Sequence, residues 1–129
     1  MISSRKADTI LMLDDEVDIM SIFTQALELR GFPVIGFTEP ILALDHFQKN
    51  SDLYWLVVSD IRMPVINGYQ FIKKVREINH DVKVFFMSAY LDDDVEFRTG
   101  LSLVKVYEYI EKPISLNQFI SLVKKYFQD

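Results

Sequence analysis

Short apolar runs and longer amphipathic stretches alternate along this chain. Residues 9–13, 33–37, 56–59, 82–87 and 106–110 are mostly apolar and rich in Val, Ile and aromatics, so they read as strands. Between them, apolar residues recur at helical spacing. Ile19, Ile22, Phe23, Ala26 and Leu27 follow the i, i+3, i+4, i+7, i+8 pattern, and Gly31 sits where a helix would stop. Pro40 suits the first turn of a second helix carrying Ile41, Leu44 and Phe47, because the N–H it lacks has no helical partner there. Phe71, Ile72, Val75 and Ile78 form the stripe of a third helix after Gly68. Leu116, Phe119, Ile120 and Val123 form that of a last one, which Ser115 and Gln118 open with a capping-box pattern. Over 91–104 the apolar positions keep no clean period and Gly100 interrupts them, making this the weakest of five expected helices.

Strands that alternate with helices through one domain imply a parallel sheet covered on both faces. Right-handed crossovers leave few topologies, of which the open, doubly wound, five-stranded sheet is the commonest fit. A length of 129 residues and a hydrophobic fraction of 50% suit one domain with a real core. A net charge of −5 argues against a nucleic-acid surface, and the absence of cysteine removes disulfides and thiolate chemistry while fitting a reducing cytosol. Neither a signal peptide nor a membrane span is legible, so a soluble, cytoplasmic protein is expected.

In open α/β sheets the working site lies beyond the carboxyl ends of the strands. The first strand ends in LMLDDE, giving Asp14 and Asp15; the third ends at Asp60 within LVVSDIRMPVING. The fourth, VFFMSA, brings Ser88, and the fifth, YEYIEKP, brings Lys112 before Pro113. Clustered carboxylates repel one another unless a cation joins them. All-oxygen ligands suit Mg²⁺, with Mn²⁺ as a substitute, whereas a zinc site would want Cys or His. Mg²⁺ beside a carboxylate, a lysine and a hydroxyl is equipment for phosphoryl transfer, in which a carboxylate such as Asp60 can be the nucleophile.

The ordered set LDDE, VVSDIRMP with Gly68, MSA and YIEKP resembles the receiver domain of two-component response regulators, over residues 9 to 127. The resemblance implies a flavodoxin-like fold with strand order 2-1-3-4-5. It makes 9–129 the receiver domain and leaves 1–8 as a flexible tail. Asp60 would accept phosphate from a sensor histidine kinase or phosphotransfer protein. Asp15, Asp60 and the backbone carbonyl of Arg62 would ligate Mg²⁺, with Asp14 acting largely through water. Lys112 would pair with the phosphoryl oxygens, and its bond to Pro113 would be cis. Ser88 and Tyr109 would switch on phosphorylation, changing the surface formed by the family's fourth helix, fifth strand and fifth helix. Arg62 and Tyr90, two after Asp60 and Ser88 respectively, would tune the lifetime of the phosphorylated state.

The chain departs from the family where Val104-Lys105-Val106 replaces a Gly-Ala pair and where Ile114 replaces an aromatic. A phosphohydrolase of the haloacid dehalogenase type is the enzyme alternative, but it needs a second Asp where Arg62 stands; an unphosphorylated binding module is the other. The expected role is a switch rather than an enzyme. It would act on an effector in trans or on a missing C-terminal output domain, without direct nucleic-acid or membrane contacts, and could dimerise on phosphorylation. Plainer readings give Asp14 or Asp15 a helix-capping role, His46 and His80 a solvated one, Trp55 a packing or rim position, and Asp92–Asp94 a place at a helix N-terminus.

Overall fold

A computed structural model describes residues 7–89 and 105–127. Five strands, β1 (Thr9–Leu13), β2 (Val34–Phe37), β3 (Tyr54–Asp60), β4 (Lys83–Ser88) and β5 (Glu108–Glu111), pair in parallel in the order β2-β1-β3-β4-β5. Four helices are described: α1 (Val17–Leu29), α2 (Pro40–Asn50), α3 (Gly68–Ile78) and α4 (Leu116–Phe127). The remaining expected helix, the fourth in chain order over 91–104, lies outside the described residues, as do Tyr90 and the acidic run 92–94.

Alternation along the central strands divides the core between the two sheet faces. Ile10, Met12, Leu56, Val58, Phe85 and Met87 pack with Phe23 and Leu27 of α1 and Phe119, Ile120 and Val123 of α4. Leu11, Leu13, Val57, Val84 and Phe86 pack with Ala43 and Phe47 of α2 and Phe71, Ile72 and Val75 of α3. Both faces are covered, so the central strands read as continuous apolar runs rather than alternating ones. Burying each such side chain contributes about 1.5–3 kcal/mol.

Several expectations shift. β3 starts at Tyr54, so Trp55 is a strand residue, buried against Phe32 and Phe127. β5 is shorter and later than 106–110; Val106 still packs on the core, ahead of the strand. Ile22 and Ile41, assigned to apolar stripes, are 54% and 52% exposed, because each points away from its helix's contact with the sheet. His46 is half-buried and has partners within the fold: its Nε2 lies 2.6 Å from the Tyr54 hydroxyl and its ring packs on Phe37. The Ser115 hydroxyl accepts from the Gln118 N–H as expected, and a full capping box between Asn67 and Gln70 opens α3.

That second cap fixes where α3 starts, and α3 starts very close to the end of β3. The Gly68 N–H donates to the Ile61 carbonyl at 2.7 Å. A Cβ on Gly68 would lie 2.3 Å from the Asp60 carbonyl oxygen and 2.9 Å from the Ile61 Cα, both backbone atoms. Alanine favours a helix over glycine by about 1 kcal/mol, but overpacking against rigid backbone costs roughly 1–3 kcal/mol. Gly68→Ala therefore lowers stability, measured as a lower urea midpoint. An unchanged or raised midpoint contradicts this packing.

Candidate functional site

Topology brings the acidic residues together. β1 lies between β2 and β3, so the chain leaves it in opposite directions and opens a crevice at the strand ends. Leu13 pairs with Ser59, which sets Asp14 beside Asp60 across the β1–β3 seam. Asp60 pairs with Met87 and Ser88 with Glu111, so Ser88 and Lys112 follow along the same edge. The Lys112 N–H donates to the Ser88 carbonyl at 2.9 Å, tying the two strand ends. The Lys112–Pro113 peptide bond is cis.

The Lys112 ammonium is the centre of the site. It lies 2.9 Å from Asp14 Oδ2, 3.0 Å from Glu16 Oε1 and 3.2 Å from Asp60 Oδ2. The Asp14 and Asp60 side chains are only 3% and 8% exposed, whereas that of Glu16 is 52% exposed. Asp14 is held at both oxygens, since its Oδ1 accepts the Glu16 N–H at 2.9 Å. Neither Asp14 nor Asp15 is the helix cap: that position is Glu16, which makes no side-chain cap bond.

Burial, the largest influence, pushes the Asp60 carboxyl up to about 6; Lys112 pulls it back, while Asp14 and Asp15 add to the rise. For Lys112, burial opposes the charged form, yet the bonds and charges of Asp14, Asp60 and Glu16 outweigh it and hold the ammonium above the usual lysine range. One buried cation thus faces more negative charge than it can neutralise. Asp14, Asp15 and Asp60 each offer a carboxylate oxygen, all within 4.8 Å of one another. Hard, charged oxygen donors at that spacing fit a divalent cation such as Mg²⁺, and the absence of sulfur and imidazole disfavours zinc.

The remaining described candidates lie at the end of β4, in β5 and in the segment after β3. Ser88 is buried at the end of β4, and Tyr109 is half-buried with its ring 5.8 Å from that of Phe86. Arg62 is exposed, two residues beyond Asp60. Glu16 is the participant that reading the sequence missed; the third acid of LDDE was its one signal.

The family model for the response regulator receiver domain matches residues 10–124. The chain belongs to the response regulator receiver family. The sensor kinase CckA of Brucella abortus is 29% identical over 117 residues, covering 91% of this chain and 12% of its own length. The transcriptional regulatory protein CssR of Bacillus subtilis is 32% identical over 120 residues, covering 93% of this chain and 51% of its own. This receiver domain therefore spans about half or less of the length of these relatives. The crystal structure of the receiver domain of the hybrid histidine kinase CckA matches with a TM-score of 0.75 at 28% identity, covering 91% of this chain and 96% of that one. A CheY-like receiver domain from Methanospirillum hungatei gives 0.81 at 22% identity, covering 95% and 94%, and shares the fold. No helix among the described residues is long and apolar enough to cross a membrane.

The Asp60 carboxyl titrates near 6 in the folded receiver domain against an ordinary 3.8, so the folded chain binds this proton more tightly than the unfolded chain. Metal-free stability therefore falls as pH rises through that window and levels off above it. Asp60→Asn removes the unfavourable charge and raises metal-free stability at about pH 7.5 by roughly 1–3 kcal/mol. The gain shrinks as pH falls and vanishes by about pH 3, below both values, where the carboxyl is protonated in both states. Urea unfolding in EDTA at both pH values checks this; a destabilised Asp60→Asn protein at the higher pH contradicts it.

Proposed function

We propose that this receiver domain is a phosphorylation-controlled switch with Asp60 as its phosphoacceptor. The observation that carries the reading is the Lys112 ammonium within 3.2 Å of both Asp14 and Asp60, at the edge where three carboxylates converge. An Asp60 oxygen attacks the phosphorus of a phosphohistidine; the O–P bond forms as the N–P bond breaks, and the bonding pair returns to the imidazole. Lys112 offsets the charge on the phosphoryl oxygens, and the Ser88 hydroxyl donates to one of them. Asp15, Asp60 and the Arg62 carbonyl, with Asp14 through water, would hold Mg²⁺, which supplies positive charge against the incoming phosphoryl group. The donor is a sensor histidine kinase or phosphotransfer protein in the cytoplasm. The readout is a changed surface around β5 and α4, with Tyr109 following Ser88. The domain's own chemistry is confined to gaining and losing this group.

Incubation with acetyl phosphate and Mg²⁺, followed by intact mass measurement, tests the reading. One added phosphoryl group is expected, absent from Asp60→Asn and from an EDTA control. A correctly folded protein that gains no mass contradicts the switch. Release of free phosphate without an adduct would instead indicate a phosphohydrolase.

A further inference from the structure

Glu16 has no place in the chemistry above, yet its carboxylate lies 3.0 Å from the Lys112 ammonium. An ammonium has three N–H bonds, and here three carboxylates meet them: Asp14, Asp60 and Glu16. Phosphorylation turns the Asp60 carboxylate into an acyl phosphate, whose terminal oxygens inherit its N–H; a second N–H for this more negative group comes only if Asp14 or Glu16 gives way. Asp14 is buried, and a buried carboxylate stripped of its partner is strongly disfavoured. Glu16 is half exposed, so water can replace the lysine at little cost.

Its attachment suits that part. Glu16 sits at the N-cap of α1, and its backbone N–H is fixed to Asp14 Oδ1 at 2.9 Å. The backbone is thereby pinned to the site while the carboxylate remains at the rim. Glu16 and Lys112 both line a cleft of about 390 Å³ whose other walls include Ile19, Phe23, Met87 and Ile114. The carboxylate therefore has room to swing out of the site.

We propose that Glu16 is an exchangeable counter-ion for Lys112: a positioning residue that holds the ammonium over Asp14 and Asp60 before phosphorylation and yields its N–H to the arriving phosphoryl group. This rests on the phosphoacceptor reading. It assigns the β1–α1 junction a change of contact on phosphorylation, separate from the movements of Ser88 and Tyr109.

Beryllofluoride with Mg²⁺ serves as the phosphoryl probe, and the Lys112 side-chain Nζ and Cε resonances report the contact in wild type and Glu16→Gln. Without the probe, the Lys112 signals are expected to differ between the two proteins. With beryllofluoride bound they are expected to coincide, because Glu16 has already left. Identical signals in the free proteins would overturn the proposal, as would a difference that persists unchanged in the bound state. Amide shifts at Asp60 and Ser88 report binding separately. If they do not respond to beryllofluoride in wild type, the phosphoacceptor reading itself fails, and the exchange at Glu16 falls with it.

Discussion

One ammonium holds the acidic end of this domain together. Asp14 comes from the end of β1 and Asp60 from the end of β3, and Lys112 comes from just beyond β5. Without Lys112 the two buried carboxylates would face each other, and Asp15, across a space too small for separate hydration. The pairing is incomplete by design of the sequence: three aspartates and a glutamate crowd one lysine. Burial and the neighbouring acids leave Asp60 reluctant to ionise despite its ion pair. Such a site could hold additional positive charge.

The sheet makes this arrangement obligatory. In a parallel sheet every strand delivers its carboxyl end to the same edge, so residues far apart in sequence become neighbours once the register is set. Asp14 and Lys112 are 98 positions apart in the chain, yet they are in direct contact. Register depends on apolar side chains filling both faces, and a slip by one residue would exchange the faces and misplace the charges. The two cores thus do more than stabilise the domain. They fix the height at which each charged side chain leaves its strand. Gly68 extends the same logic to α3, since any side chain there would press on the Asp60 carbonyl.

Most of this was legible in the amino-acid sequence because parallel-sheet strands are apolar along their whole length and end abruptly in polar residues. The run from Leu56 to Asp60 shows both features. Harder to read were positions governed by contacts between elements. Ile22 and Ile41 keep helical spacing, but spacing alone does not say how wide a stripe the sheet covers. His46 resembled a solvated helix residue because its partner, the Tyr54 hydroxyl, belongs to a strand whose start was placed too late. The Asn67–Gln70 box is hard to see because the Pro64 and Gly68 turn residues dominate that stretch. Glu16 is hidden for a related reason: beside two aspartates with evident roles, a third acid reads as surface charge, and only the fold shows it reaching Lys112.

The Lys112 charge acts directly on the Asp60 carboxyl. The most direct test is carbon-detected NMR titration of that carboxyl in the metal-free protein, compared between wild type and Lys112→Met. A midpoint near 6 is expected in wild type and a higher one in the variant, because burial, Asp14 and Asp15 would then act unopposed. A midpoint that stays the same or falls when the lysine is removed would contradict it.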